Sequence, residues 1–311
     1  MATKGEDEVE VLRRRSIESR RNLAGLRESG VNPLPLIFPE GEEDVSLIEK
    51  AFGDSVDIRL LDGGKQKCVE LAELLDQDGF TRSRVLVDRD FGAVDGSIST
   101  VSKLIIETRA HDTLMDVLLV APRILSSIVQ RVNRDRYRGM SYNDKKLFTQ
   151  NLLQATMSVA FYLSSIRILN ARKDIGLKFD NFPFPVYLGQ DEAGLDGAVY
   201  WVLTKTKSRA GLAIDIESTT VRTMEECIDV LAEASEIHQE LSGREWELIG
   251  DHDLLAILDF YLDDNWGQRK LRTLFEAEIH ADEISDSAWG REIANFVGSV
   301  SRSSSDCDAT N

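Results

Sequence analysis

Apolar and polar positions change periodicity repeatedly along residues 33–119, and these changes predict strands separated by helices. Short apolar runs, which are typical of buried strands, occupy residues 34–38, 56–61, 84–87 and 103–107. Between and after them, apolar residues recur at helical spacing over residues 43–52, over residues 68–76 and from residue 112 onward. This order predicts a small, mostly parallel sheet with helices on both faces.

The pattern beyond about residue 121 is mainly helical, so the predicted fold class is α/β with a largely helical C-terminal half. Helical periodicity covers residues 124–132, 144–170, 223–241, 253–262, 268–279 and 286–300. Two short apolar runs, at residues 199–204 and 213–216, predict a β-hairpin within this half.

These elements predict four segments. Residues 1–30 form a basic N-terminal helical segment, residues 31–120 the α/β core, residues 121–300 the helical region with its hairpin, and residues 301–311 a disordered Ser/Asp-rich tail. The amphipathic helix at residues 8–28 carries six arginines. They form either a solvated helix face or a contact for RNA phosphates or a partner.

Charge narrows the classes of function. The formal net charge of −17 is unlike that of general nucleic-acid binders, whose affinity depends on neutralising phosphates. An acidic nuclease would need metal ions, a local basic patch or a basic partner, and a merely soluble acidic protein is the alternative.

Cysteine usage and hydropathy predict a cytoplasmic protein with no membrane contact. Three cysteines without metal-type spacing suit a reducing compartment. The N-terminus has no signal-like apolar segment, and the most apolar stretch, residues 114–129, is interrupted by Asp116, Pro122 and Arg123.

Acidic side chains follow two of the predicted strands. Glu40 follows the first strand, and Asp88 and Asp90 follow the third. Open parallel sheets bind ligands at the carboxyl ends of their strands, and residues i and i+2 of an extended chain point to the same side. Clustered carboxylates call for a divalent cation, so a Mg²⁺-dependent phosphate site is predicted. Glu42, Glu43 and Asp44 are interpreted instead as charges that favour a helix start.

Two further motifs leave alternatives open. Gly63-Gly64-Lys65 either places a lysine against a phosphate or forms an ordinary strand-to-helix turn. His111-Asp112 either adds a metal ligand and a general base or simply caps the next helix through Asp112. For the second His-Asp pair, His252-Asp253, a structural role is favoured.

Taken together, the motifs resemble those of the TOPRIM-like nucleases of the AriB type, which are related to overcoming-lysogenization-defect nucleases. The resemblance is carried by Glu40-Gly41-x-x-Asp44, Gly63-Gly64-Lys65, Asp88-x-Asp90, Thr108-x-x-His111-Asp112 and the segment 246–254. One departure is Leu114, which stands where family members often have a glutamate, with Asp116 as the nearest acid.

This resemblance implies a Mg²⁺-dependent endonuclease that acts on tRNA as a homodimer. Such proteins are effectors of PARIS antiphage defence systems, where an ABC-type ATPase holds the toxin inactive until infection is sensed. The expected metal ligands are Glu40, Asp88, Asp90 and Asp112, and the expected catalytic residues are Glu40, Lys65 and His111. The alternative is a non-catalytic module whose TOPRIM-like core serves as a scaffold for docking on an ATPase or a nucleic-acid-binding partner.

Overall fold

The computed structural model describes residues 11, 14, 34–61, 64–95, 102–173, 224–262 and 266–308. The predicted hairpin, the tip of the Gly63-Gly64-Lys65 turn and all but two residues of the basic N-terminal helix lie outside this part of the chain.

A sheet of four parallel strands forms the centre of the fold. The strands are β1 (Leu36–Pro39), β2 (Asp57–Ile58), β3 (Ser83–Val87) and β4 (Ile105–Glu107), in the order β2-β1-β3-β4. Helices flank this sheet and make up the C-terminal half, so the predicted α/β class is confirmed. Strand β2 is shorter than the predicted run at residues 56–61 because its ladder with β1 pairs only Leu36 with Asp57 and Ile37 with Ile58.

The direction in which successive strands are added to the sheet changes after the first two strands. The chain leaves β1 for β2 on one side and then crosses to β3 on the other side. The carboxyl ends of β1 and β3 therefore flank the topological switch point, where open α/β sheets form their ligand crevice. Glu40 follows β1 and Asp88 follows β3 at this point.

Most helices lie close to the predicted positions, and three short ones, Gly92–Asp95, Glu245–Leu248 and Ala281–Asp286, were not predicted. In chain order they are α1 (Glu42–Phe52), α2 (Gly64–Gln77), α3 (Gly92–Asp95), α4 (Thr113–Val120), α5 (Arg123–Val132), α6 (Tyr142–Lys173), α7 (Met224–Glu240), α8 (Glu245–Leu248), α9 (Asp251–Tyr261), α10 (Gln268–Glu278), α11 (Ala281–Asp286) and α12 (Ala288–Asp308).

The chain divides into two compact units, and their boundaries correct the predicted domains. The first unit combines Met1–Asp90, Gly96–Ala121 and Glu276–Asn311, and the second combines Phe91–Asp95 and Pro122–Phe275. Helices α11 and α12 were expected within a helical region of residues 121–300, but they belong with the sheet. The reason is that their apolar residues, such as Ile284, Trp289 and Ile293, are fully buried in the first unit. Helix α11 packs on α1 and α4, and α12 packs on α4 and β4.

The turn between α11 and α12 explains why α12 begins at Ala288, two residues after the predicted start at residue 286. The Ser287 hydroxyl oxygen accepts a hydrogen bond of 3.0 Å from the Gly290 amide and so caps α12. A Cβ at position 290 would lie 1.8 Å from the Ile284 carbonyl oxygen, so this close turn requires glycine.

The predicted disorder is corrected for residues 301–308, because α12 continues to Asp308, and residues 309–311 lie outside the described part of the chain. Extending an existing helix fixes one residue for each added hydrogen bond, whereas starting a helix is costly. The buried first turns of α12, including Trp289 and Ile293, supply the nucleus on which the polar residues continue.

The second unit is helical and is built around α6, which packs against α5, α7, α8 and α9. This helix, Tyr142–Lys173, is long and apolar enough to cross a membrane, but 67% of its most apolar window is buried inside the structure. Buried core helices commonly have this composition.

The structural role predicted for His252-Asp253 is confirmed for Asp253. The Arg167 guanidinium of α6 donates two hydrogen bonds of 2.8 Å to the Asp253 carboxylate of α9. Asp253 is buried, while His252 is exposed. The pair joins two helices of the second unit.

We expect Arg167→Met to lower the free energy of unfolding by about 2 kcal/mol, because it leaves the buried Asp253 charge unpaired. This is below the usual range for a fully buried pair because 32% of the Arg167 side chain is exposed. Urea unfolding followed by circular dichroism measures the change. The matched control is Arg138→Met, whose partner Asp135 lies on the surface and which should change the free energy by less than about 0.5 kcal/mol. Equal effects of the two substitutions would contradict this account.

Candidate metal centre

Glu40 and Asp88 meet across the switch point of the sheet. Strands β1 and β3 are hydrogen-bonded neighbours, with Pro39 level with Leu86. The Glu40 carboxylate (Oε2) accepts a hydrogen bond of 3.1 Å from the backbone amide of Asp88. Burial raises the pKa of Glu40 above its ordinary value, the hydrogen bond from Asp88 partly opposes this rise, and the charge of Asp90 adds to it.

Asp88 lies at the electrostatic centre of the site. Its carboxylate (Oδ1) accepts a hydrogen bond of 3.2 Å from the Thr113 amide at the start of α4. Burial raises the pKa of Asp88 well above its ordinary value, and the neighbouring charges of Asp44, Asp112, Glu40 and Asp90 raise it further, in that order. The part of this pKa rise that comes from neighbouring charges indicates that several carboxylates lie close to Asp88.

Asp44 is a member of this cluster that the sequence interpretation missed. It was expected to serve only the start of α1, and its Oδ2 does accept a hydrogen bond of 3.1 Å from the Gly41 amide. Its Oδ1 also accepts a hydrogen bond of 2.6 Å from the Thr113 hydroxyl, and the residue is only 4% exposed. A sequence signal existed, since Asp44 precedes Leu47 and Ile48 by three and four residues and so shares their buried helix face.

Asp90 lies beside Lys65 instead of continuing an extended chain. Its φ of 49° is left-handed, so the expected extended backbone from Asp88 to Asp90 is wrong. The Asp90 amide donates to the His111 carbonyl oxygen at 2.9 Å, and its carboxylate accepts from the Lys65 ammonium at 2.8 Å. Lys65 lies in the first turn of α2, directly after Gly64 with its φ of 70°.

His111 and Asp112 adopt the capping arrangement. The Asp112 Oδ1 accepts a hydrogen bond of 2.8 Å from the Met115 amide and caps α4. The other carboxylate oxygen lies 3.5 Å from the His111 Nδ1. Asp112 therefore has a structural role, yet its charge is still close enough to raise the pKa of Asp88.

Leu114 and Asp116 add no ligand. Leu114 is fully buried among core residues of the first unit. Asp116 is 1% exposed, and its Oδ2 accepts a hydrogen bond of 3.1 Å from the Arg109 amide. Burial raises the pKa of Asp116, while the amides of Arg109, Trp289 and Ala288 lower it. Asp116 thus serves backbone groups, including those at the start of α12.

Two other groups beside the site were not singled out by the sequence. Burial raises the pKa of the Cys68 thiol to about 12, and Glu40, Asp44 and Asp88 contribute to the rise. The thiol is therefore protonated at neutral pH and is a poor nucleophile or ligand. Glu107 ends β4 level with Val87, and burial raises its pKa while the charges of Arg89 and Lys65 lower it.

The five acidic side chains of the site offer the oxygen ligands that hard divalent cations prefer. Five carboxylates surround the switch point, namely those of Glu40, Asp44, Asp88, Asp90 and Asp112, and in the described part of the chain Lys65 forms an ion pair with one of them. Carboxylate oxygens suit Mg²⁺, which commonly keeps several waters between itself and the protein. In the described residues no three of these five bring an oxygen each within 4.8 Å of one another, so water-bridged ligands or side-chain rotation would complete the site.

We expect Asp88→Asn to stabilise the fold at about pH 8 in EDTA, with a smaller gain near pH 4. Because the pKa of folded Asp88 is raised above its unfolded value, ionisation costs stability, and that cost appears as the pH rises through the folded pKa. Melting temperatures by circular dichroism at both pH values measure the effect, with Glu49→Gln on the exposed face of α1 as control. Equal melting temperatures of wild type and Asp88→Asn at the higher pH would show that the carboxylates do not repel one another.

Searches with known proteins find no relative to set beside this geometry. No family model, curated protein or solved structure matches the chain.

Proposed function

We propose that this chain is a Mg²⁺-dependent endonuclease whose active site is the carboxylate cluster at the switch point of the sheet. The observation that carries the proposal is the position of Asp88. Its carboxylate accepts a hydrogen bond from an α4 amide, and its pKa is raised by burial and, further, by four surrounding carboxylates. Clustered acids that raise one another's pKa values are typical of functional sites. Their number and oxygen chemistry favour a divalent cation.

In this proposal Glu40, Asp88, Asp90 and Asp112 hold the cation, and Asp44 adds its charge to theirs. A bound Mg²⁺ would act as a Lewis acid toward a phosphodiester and would stabilise the charge that develops on it. Glu40 would position the attacking water or accept a proton from it. Lys65, near the start of α2, is paired with Asp90 and in this proposal would bind a phosphate oxygen of the substrate.

Positive side chains next to the cluster favour a polyanionic substrate despite the net charge of −17. The Arg89 side chain donates a hydrogen bond of 3.2 Å to the Arg109 carbonyl oxygen, and Arg109 is exposed. Both arginines follow carboxyl ends of strands, as do Glu40 and Asp88. They could hold the phosphate backbone beside the proposed cleavage site.

The finer proposal rests on the motif resemblance to AriB-type nucleases. It specifies tRNA as substrate, a homodimer as the active form, an ABC-type ATPase as the partner that keeps the protein inactive, and an antiphage role in the cytoplasm. The high negative charge suits an effector that binds nucleic acid poorly until it is activated.

We expect Glu40→Gln to reduce Mg²⁺-dependent cleavage of tRNA by at least about 100-fold, since a positioned general base contributes roughly that much or more. Purified full-length protein is incubated with total tRNA and, separately, with DNA, with Mg²⁺ or EDTA, and fragments are resolved on denaturing gels. Glu49→Gln is the matched control and should cleave like wild type, because Glu49 lies exposed near the end of α1.

Three outcomes are informative. Cleavage by well-folded Glu40→Gln at the wild-type rate would refute the assigned role of Glu40. If wild type cleaves DNA but not tRNA, the proposed nuclease activity stands and the proposed substrate is wrong. Absence of cleavage by wild type, with and without the proposed ATPase, would favour the non-catalytic scaffold.

A further inference from the structure

Thr113 makes hydrogen bonds through its hydroxyl, its amide and its carbonyl group, and each bond reaches a different element. It is the first residue of α4 and is 1% exposed. The hydroxyl donates to Asp44 at 2.6 Å, and the amide donates to Asp88 at 3.2 Å. Thr113 thus connects a carboxylate of α1 with a carboxylate that follows β3.

The opposite side of Thr113 is fixed by a buried tryptophan. The Trp289 indole (Nε1) donates a hydrogen bond of 3.2 Å to the Thr113 carbonyl oxygen, and Trp289 is fully buried. Asp112 fixes the same turn through its cap on Met115. The threonine therefore has little freedom to move away from the two carboxylates.

The short hydrogen bond to Asp44 has a specific electrostatic effect. A hydroxyl that donates to an ionised carboxylate forms a charge-assisted bond, which is stronger than a neutral one. It fixes the orientation of the Asp44 carboxylate at the edge of the site. Asp44 is 4% exposed, so water has little access to replace this donor.

We infer that Thr113 is a positioning residue of the proposed metal centre, which holds Asp44 and Asp88 together so that both contribute to one cation site. The inference rests on the proposed function for the existence of that site. The inference goes beyond the proposed metal ligands, because Thr113 orients carboxylates through hydrogen bonds and is not itself proposed as a ligand. Such outer contacts commonly tune metal affinity.

The test is a titration of the full-length protein with Mn²⁺, followed by the electron paramagnetic resonance signal of the free ion. Thr113→Val keeps the amide donor to Asp88 and removes the hydroxyl donor to Asp44. We expect it to raise the dissociation constant for Mn²⁺ about 10-fold, whereas Thr113→Ser, which keeps the hydroxyl, should stay within about twofold of wild type. Thr156→Val is the matched control, because within the described ranges the buried Thr156 hydroxyl bonds only to the Leu152 carbonyl oxygen of α6. The Mn²⁺ affinity of this variant should equal that of wild type.

Each result bears on the inference. Wild-type affinity in Thr113→Val overturns it, and so does a Thr113→Ser variant as weak as Thr113→Val, since the methyl group and not the hydroxyl would then set the affinity. If Thr113→Val does not fold at the temperature of the titration, Thr113→Ala, which also lacks the hydroxyl and is smaller, replaces it with the same expected loss of affinity.

Cleavage assays separate this inference from the proposed function. Saturating Mg²⁺ should restore tRNA cleavage in Thr113→Val, which lowers only the cation affinity. It should not restore cleavage in Glu40→Gln, because that variant also lacks the proposed general base, which added cation cannot replace. If wild type binds Mn²⁺ but cleaves no nucleic acid, the proposed nuclease activity is refuted, while the proposed positioning role of Thr113 is not affected.

Discussion

The repulsion among carboxylates at the switch point is the constraint around which the first unit is organised. Burial and the charges of Asp44, Asp112 and Glu40 raise the pKa of Asp88, and such a cluster can persist only where hydrogen-bond donors compensate. The donors come from the backbone amides of Gly41, Asp88, Thr113 and Met115 and from the Thr113 hydroxyl. They belong to segments distant in sequence, so the folded topology and the charge cluster depend on each other.

The C-terminal helices take part in this arrangement without contributing a carboxylate to it. Trp289 of α12 bonds to Thr113, and Asp116 of α4 interacts with amides at the start of α12. These buried contacts hold the first turn of α4, which in turn holds Asp44 and Asp88. Because the chain returns to the sheet after the second unit, α12 helps to hold the carboxylates in position and also completes the core of the first unit.

Acidic composition and a phosphate-directed site are compatible in physical terms. Net charge governs long-range attraction, whereas a bound cation and a few local basic groups govern the contact itself. Lys65, Arg89 and Arg109 supply local positive charge at the same edge of the sheet as the carboxylates. A protein of net charge −17 would then bind nucleic acid weakly at a distance and firmly only when the cation site is formed.

The sequence by itself determined the α/β class, the position of most helices and strands, and the strand-end location of Glu40 and Asp88. It could do so because apolar periodicity and strand ends are local properties of the chain. It did not reveal Asp44, the left-handed backbone of Asp90 or the place of α11 and α12 beside the sheet. Those features depend on contacts between residues far apart in sequence: the Thr113 hydroxyl reaches Asp44, the Asp90 amide reaches the His111 carbonyl, and Trp289 packs beneath α4. The sequence predicted two carboxylates at strand ends, but only the tertiary structure decided which hydrogen-bond donors and which further acidic side chains surround them.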